Sequence, residues 1–337
     1  MGRATIMDVA DRAGASIKTV SRVINGEPHV RPTTRARIEA AIAALDFVPN
    51  AAARSLASTK SFVIGAFFDN PSPSYILALQ RGAMAACREA GFHLVIEDVD
   101  SAAVDLAEQM RAMLASSRMD GVILSPPLTD NPVVLDAIEA KGLRYVRLAP
   151  VSYPQRSSSV TTDDHGAAVE IARHLWSLGH RRFAVITGPP SHGCSAPRLN
   201  GFLESIGALG GDPQAVTLVP GDFSFRSGLD AGQYLLAGPD RPTAIFACND
   251  DMAAGVLAAA SKLELQVPRD ISVAGCDDSA IAEQVWPPLT TIRQPIALMA
   301  SECARLLIDP ARNDKIHEVP IGFEMIVRGS TGQAPGA

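Results

Sequence analysis

The stretch Asp8–Gly26, "DVADRAGASIKTVSRVING", holds two short helical patterns joined by only a few residues. Thr5 can cap the first, whose apolar positions Ile6, Val9, Ala10 and Ala13 fall on one face, and Gly14 supplies the left-handed residue that stops it. Ser16 restarts the chain as the N-cap of a second helix. There Val20, Val23 and Ile24 point one way and Lys18, Ser21, Arg22 and Asn25 the other. A third helix begins near Pro32 and Thr33, with Ile38, Ala41, Ile42 and Leu45 at helical spacing. None of the three can bury its stripe alone, so together they predict one small core. The tight turn then lets the first helix brace the second, which presents Ile17, Lys18, Ser21 and Arg22 outward.

That arrangement predicts a helix-turn-helix, whose second helix enters the major groove and reads bases with its first residues. Lys18 and Arg22 can donate to guanine O6 and N7, and Ile17 can pack on a thymine methyl. The plainer alternative is a helical hairpin with a solvated polar face. Against it, the exposed face is short and cation-bearing, with more basic residues following at Arg31, Arg35 and Arg37.

Charge separates this head from the rest of the chain. Residues 1–60 carry nine Lys/Arg against five Asp/Glu, whereas the other 277 residues carry 21 against 31, for an overall charge of -6. A basic head on an acidic body is expected if only the head meets a polyanion, although charge scatter gives the same totals. At 337 residues the chain has room for about two domains of ~150 residues. With 47% hydrophobic and 20% charged residues, its composition is that of an ordinary globular protein. No apolar run approaches the ~18 residues of a membrane span, and "MGRATIMDVADRAG" has no apolar signal region, which points to the cytoplasm. Cys87, Cys194, Cys248, Cys276 and Cys303 are scattered, odd in number and without a CxxC pair, which argues against a disulfide framework or zinc ribbon.

After the head comes "DFVPNAAARSLASTKS" (Asp46–Ser61), in which Asn50 can cap a helix of about seven residues, Ala51–Ala57. So short a helix is marginal alone. Leu56 beside Arg54 suits a minor-groove wedge that orders on docking; a plain linker whose Leu56 rests on the body is the equal alternative. From Ser61 onward, strand-like runs ("FVIGAFF", "FHLVIED", "MDGVILS", "LRYVRLA") alternate with helical stretches, and the rhythm restarts at "RRFAVITG", "AVTLV", "PTAIFAC" and "ISVAGC". Buried apolar strands between helices predict parallel sheets, and two successions predict two doubly wound α/β subdomains. Ligands in such folds bind beyond the carboxyl ends of strands. The strand ends "FFDNPSPSY", "ITGPPSHGCSAPRL", "FACND" and "AGCDDS" bring Asp69, Arg198, Asn249 and Asp277 within reach of one cleft. Carboxylates, an amide and a guanidinium beside an aromatic platform, Phe223 or Tyr75, make a sugar-binding set. As caps or loop salt bridges, Asn249, Asp250 and Asp69 have an ordinary structural reading too. Cys194, Cys248 and Cys276 all fall at strand ends lining the inferred cleft, so sensing of an oxidant or soft ligand competes with simple packing.

"TIMDVADRAGASIKTVSRVINGEPHVRPTTRARIEAAIAALDFVPNAAARSLA" resembles the DNA-binding domain of the lactose/galactose repressor (LacI/GalR) family, matching at "DVA..AG.S..TVSRV.N" and "VPN..AR.L". The resemblance implies base readout by Ile17, Lys18 and Arg22 and further DNA contacts from Thr5, Thr19, Ser21 and Asn25. It also implies a hinge helix contributing Asn50, Ala53, Arg54 and Leu56, with Leu56 entering the minor groove at a pseudo-palindromic operator beside that of a second subunit. The body is similar to the family's periplasmic-binding-protein-like effector domain at "LGHRRFAVITGP", "RLNGF", "CNDDMAAGVLAA", "VPRDISVAGCDDS" and "PPLTTIRQP". This implies effector contacts from Arg198, Asp277, Asn249 and Phe223. It adds Asp69, Asn70, Tyr75 and His192 from stretches where the family varies. An acidic residue of the lactose repressor pattern is replaced here by Ala149, which leaves the sugar open.

The expected organisation is an all-α helix-turn-helix head (1–49), a hinge (50–60) and a body of two doubly wound parallel-sheet subdomains. The first comprises 61–160 with 290–320 and the second 161–289 with 321–330, followed by a flexible Gly/Pro-rich tail at 331–337. The resemblance implies three crossings between subdomains and a homodimer. The tail carries no leucine-rich tetramerisation helix. An enzyme is not expected: there is no GxSxG elbow, GxxxxGK[ST] loop or HExxH, and no motif asks for a metal or cofactor. A sugar-binding protein of the periplasmic fold explains only the body. A ligand-responsive transcriptional regulator, most simply a repressor, explains both halves.

Overall fold

The computed structural model describes residues 4–24, 29–47, 60–312 and 314–335, in two compact units, 1–62 and 63–337. Asn25, Asn50, Ala53, Arg54 and Leu56, assigned to DNA above, lie outside the described residues.

In the first unit, α1 (Ile6–Ala13) begins in a reciprocal cap: the Asp8 amide donates to the Thr5 hydroxyl at 3.4 Å, and the Thr5 amide donates to the Asp8 carboxylate at 2.7 Å. The Thr5 amide and hydroxyl, both donating to it, hold the Asp8 carboxyl below its ordinary value. Gly14 ends α1 at φ 53°, ψ 46°, where a side chain would be strained. Helix α2 (Ile17–Ile24) starts with the Thr19 amide donating to Ser16 Oγ at 3.2 Å. Helix α3 (Pro32–Ala44) opens on proline, whose missing N–H costs nothing at that position. Val9, Ala10, Ala13, Val20, Val23, Ile38 and Ala41 form the core, with Ile24, Ile42, Leu45 and Phe47 closing around it.

The second unit runs β1 (Val63–Phe68), α4 (Pro73–Glu89), β2 (His93–Asp98), α5 (Leu106–Ser116), β3 (Gly121–Leu124), α6 (Pro132–Ala140), β4 (Tyr145–Leu148) and β5 (Ser158–Thr161). It continues with α7 (Asp164–Ser177), β6 (Phe183–Thr187), α8 (Ser195–Ala208), β7 (Thr217–Pro220), α9 (Phe225–Leu236), β8 (Ala244–Ala247), α10 (Asp250–Lys262), β9 (Ser272–Ala274) and α11 (Ala280–Gln284). It ends with β10 (Thr291–Arg293), α12 (Ile296–Ile308), β11 (Glu318–Pro320) and β12 (Glu324–Ile326).

Two parallel sheets result. One has the order β11-β5-β4-β3-β1-β2 and the other β7-β6-β8-β9, while β10 and β12 pair antiparallel as a two-stranded ribbon. The chain leaves the first sheet after β5, returns through β10 to α12, and leaves again between β11 and β12. Helix α12 packs on α4 so closely that a Cβ at Gly82 would meet the Ala297 carbonyl oxygen at 1.8 Å. In the second half, Phe202 stacks on Phe246 (5.5 Å) and meets Phe183 edge-on (5.9 Å) within an aliphatic core. The order of strands reverses between β1 and β3 in one sheet and between β6 and β8 in the other. Both crevices open at strand carboxyl ends, where this class of fold binds ligands.

Two expectations are corrected. Strand β5 was not foreseen: "SSVT" has no apolar signature and is held as a strand by β4 on one side and β11 on the other. The described part of the predicted flexible tail is not free. Thr331 Oγ1 bonds His174 Nε2 at 2.9 Å, the Gly332 amide donates to Ser272 Oγ at 3.0 Å, and the Ala334 amide donates to the Leu178 carbonyl at 2.8 Å. Gly and Pro removed any helical or strand periodicity there, but not the chain's capacity to satisfy buried polar groups.

Candidate functional site

In the head, burial divides α2 by face. Val20 and Val23 are enclosed, whereas Ile17 is 48% exposed and Lys18 and Arg22 lie at the surface beside half-buried Thr19 and Ser21. An exposed isoleucine beside Lys18 at the start of a helix is costly in water and useful against a base edge. Thr5 is committed to its cap, with Oγ1 also donating to Asp8 at 2.7 Å. Arg37, one of the basic residues following the predicted reading helix, donates to the Gly14 carbonyl at 3.3 Å and so braces the turn.

In the body, a cleft partly open to solvent lies at the strand ends of both sheets. One wall carries Asn70, Tyr75, Pro126, Leu148 and Ala149; the other carries His192, Cys194, Arg198, Phe223, Asn249 and Asp277. Asp164, Gln294, Ile296 and Met299, close to the crossings between the halves, also line it.

Arg198, on the first turn of α8 and 4% exposed, organises the second wall. Its Nε donates to Asp164 Oδ1 at 2.8 Å, its Nη1 donates to the Cys248 carbonyl, and its Nη2 lies 3.6 Å from Asp277 Oδ1. Gln294 Nε2 donates to the same Asp164 oxygen at 2.7 Å. Asp277 is held at φ 121° just beyond β9, and burial pushes its carboxyl up to about 7 against the opposing pull of Arg198. Asn249 is the N-cap of α10, accepting from the Met252 amide at 3.0 Å, while its Nδ2 donates to the Phe223 carbonyl at 2.9 Å. The cap reading foreseen for Asn249 therefore holds, and the same bonds fix Phe223 as part of the wall. The Phe223 ring meets the His192 imidazole edge-on at 5.1 Å. His192 is 7% exposed, burial holds it below its ordinary value and thus neutral, and its Nε2 has no hydrogen-bond partner. Across the cleft, burial beside Cys194 and Asp277 pushes the Tyr75 phenol well up. Ser72 Oγ donates to Asp251 Oδ2 at 2.5 Å, bonding the start of α4 to the first turn of α10.

The structure thus gathers Tyr75, His192, Arg198, Phe223, Asn249 and Asp277, and Asn70 with them. Asp69 is not among the lining residues: its carboxylate accepts from the Ser101 amide (2.9 Å) and hydroxyl (2.5 Å), which turns it into a loop brace. Asp250 is no cap either, but a buried acceptor for Thr291 Oγ1 (2.6 Å) and the Ser279 amide (2.7 Å). Sequence reasoning missed Asp164 and Gln294. The position of Asp164 just beyond β5 was the available signal, and it needed β5 to be recognised. Of the three cysteines placed in the cleft, only Cys194 lines it, while Cys248 and Cys276 are fully buried. Burial pushes the Cys194 and Cys248 thiols up to about 12 and Cys276 well up, so none carries the reactive thiolate that an oxidant or soft ligand requires. Among the described residues, no group of three or more His, Cys, Asp or Glu can hold a metal ion, and no helix is long and apolar enough to cross a membrane.

Residues 5–50 match the family described as bacterial regulatory proteins, lacI family, and residues 172–331 match the periplasmic binding protein-like domain. The HTH-type transcriptional regulator CelR of Thermobifida fusca is 33% identical over 97% of this chain and 98% of its own. The ribose operon repressor of Escherichia coli (strain K12) is 35% identical over 91% of each. Among solved structures, a CelR–cellobiose complex superposes with a TM-score of 0.73 at 31% identity, covering 97% of this chain and 100% of that one. The lac repressor dimer bound to operator and the anti-inducer ONPF gives 0.77 at 28%, covering 98% and 100%. With a helix-turn-helix at one end, a two-sheet effector-type body at the other and full-length regulators as relatives, the chain belongs to the LacI family of bacterial regulatory proteins.

Proposed function

We propose that the chain is a cytoplasmic, homodimeric repressor that binds a pseudo-palindromic operator through α2 and releases or tightens it when a sugar-like effector enters the cleft. The observation that carries this reading is the division of α2: Val20 and Val23 anchor it while Ile17, Lys18 and Arg22 stay at the surface. Ile17, Lys18 and Arg22 read bases and Thr19 and Ser21 contact phosphates. Asn25, Asn50, Ala53, Arg54 and Leu56 complete the DNA contacts. Thr5 acts by fixing the first helix on the duplex. Arg198, Asp277 and His192 hold the effector's hydroxyls, Phe223 and Tyr75 flank its ring, and Asn249 keeps Phe223 in place.

Selection from random duplexes by the full-length protein tests the reading. Enrichment of a two-fold symmetric site is expected, with affinity falling linearly in log[salt] as phosphate contacts release counterions. Lys18→Ala should relax base preference within the half-site, by about 1–3 kcal/mol for the pair it reads. Absence of any sequence preference over random competitor at moderate ionic strength overturns the proposal.

A further inference from the structure

The cleft is asymmetric in charge and polarity, and this restricts what it accepts. Arg198 is the only cation among the lining residues, and it faces two carboxylates, Asp164 at 2.8 Å and Asp277 at 3.6 Å. An anion entering there meets a guanidinium whose charge Asp164 already answers. Polar groups line both walls, Asn70 and Tyr75 on the first, but the charged grip is all on the second. Arg198, Asp277 and His192, whose Nε2 has no partner within the protein, stand on the second wall, and that nitrogen can bond a ligand hydroxyl. On the facing wall, Pro126 at the end of β3 and Leu148–Ala149 at the end of β4 offer no side-chain donor or acceptor. Ile296 and Met299 extend the apolar surface at the start of α12. The Ala149 amide is spent on the Val160 carbonyl at 2.7 Å. A hydroxyl pressed against that surface loses its water and gains nothing.

Resting on the sugar reading above, we infer that the effector is a neutral deoxy sugar, a hexose-sized ring that turns its hydroxyl edge to Arg198, Asp277 and His192 and a methyl group to Pro126, Leu148 and Ala149. Sugar acids and sugar phosphates are disfavoured by charge, and a hexose is disfavoured where its extra hydroxyl would have to face the apolar patch of Pro126, Leu148 and Ala149.

The test is calorimetric titration of the full-length protein with pairs that differ in one hydroxyl: L-rhamnose against L-mannose, L-fucose against L-galactose and D-fucose against D-galactose. D-galacturonate, D-ribose and cellobiose complete the panel. At least one deoxy member should bind about tenfold or more tighter than its hydroxylated partner, with no heat from the uronate. Ala149→Asp places a carboxylate on the bare wall, at a residue with φ 47° where aspartate is tolerated; it should shrink or invert that ratio. A hydroxylated hexose, ribose, cellobiose or galacturonate binding as tightly as the best deoxy sugar overturns the inference and leaves the sugar reading standing. Silence from every sugar in the panel removes the sugar reading, and this inference with it.

Discussion

Arg147 is the largest fully buried side chain among the described residues and has no role in any sequence-level reading. From β4 its guanidinium donates to the Ser152 carbonyl (2.7 Å), the Tyr153 carbonyl (2.6 Å), the Thr129 carbonyl (3.3 Å) and Ser157 Oγ (3.0 Å). Asp130 lies 3.8 Å away and accepts from the Val151 and Ser152 amides, so one buried cation fastens the loop that begins at Ala149 of the cleft wall. Arg147→Met keeps much of the volume but strands three carbonyls and an aspartate. Removing one partner from a buried charge network typically costs about 3–5 kcal/mol. For a body of this size each kcal/mol shifts the melting point by roughly 2–4 °C, giving a loss on the order of 10 °C. Arg156→Met is the control. Its partners Asp136 (2.6 Å) and Glu139 (2.7 Å) form a more exposed pair set that contributes about 1 kcal/mol or less. Calorimetric melting of the two variants beside the parent protein decides the matter. If Arg147→Met melts within 2 °C of the parent (roughly 1 kcal/mol), or no lower than Arg156→Met, burial and hydrogen bonding do not rank these arginines as argued.

Acid should destabilise the fold through His180, which is enclosed by Thr243 Oγ1, Ser272 Oγ and the Gly332 carbonyl, each at 3.0 Å. Burial lowers its pKa, so the unfolded state takes up the proton first. Stability therefore falls as pH drops below ~6.5, and urea midpoints of the parent and His180→Asn should converge toward pH 5.5. Asp277 works with the opposite sign: its raised carboxyl favours the fold at low pH, and that contribution is lost as pH rises from ~4 to about 7. Effector affinity should instead weaken as pH falls from 8 to 6, because only the carboxylate accepts two hydroxyls. Titration of Asp277→Asn should give weak and pH-flat binding. Gly82→Ala sets a Cβ against the Ala297 carbonyl oxygen, which is backbone and cannot swing away. A loss of about 1–3 kcal/mol in chemical unfolding is expected, and an unchanged midpoint would refute the close crossing of α4 and α12.

The parts of the fold legible in the sequence are those where one residue's local physics decides. Thr5, Gly14 and Ser16 punctuate the head, and "FVIGAFF" or "PTAIFAC" can only be buried strands. The site was legible where a strand end carries a charge too costly to bury without purpose, as at Arg198 and Asp277. It was illegible where partners lie far apart in the chain. Asp69 and Asp164 are both acidic residues beside strand ends. Only tertiary contacts send the first to Ser101 and the second to Arg198 and Gln294, 130 residues away. Arg147 was invisible for the same reason: its acceptors are backbone carbonyls, and no side-chain pattern announces them.

The same contacts explain how an occupied cleft can act on the rest of the molecule. Asp164 stands just past the first crossing and Gln294 on the second, both bonded around Arg198. Asp277 takes its backbone register from the Ile292 carbonyl, and its neighbour Asp278 accepts from Arg293 (2.7 Å), the last residue of β10, and from Arg328 (2.6 Å), just past β12. On the proposed function, a ligand bonded to Arg198 and Asp277 would pull on side chains tied to the strands that connect the two halves. Grip alone changes nothing, because a ligand bound equally in open and closed forms shifts no equilibrium. On the proposed function, the difference would come from contacts with Pro126, Leu148 and Ala149 made in only one of the two forms. A coupling of ~1–3 kcal/mol, or roughly 5–150-fold in operator affinity, is within reach of one apolar group buried there.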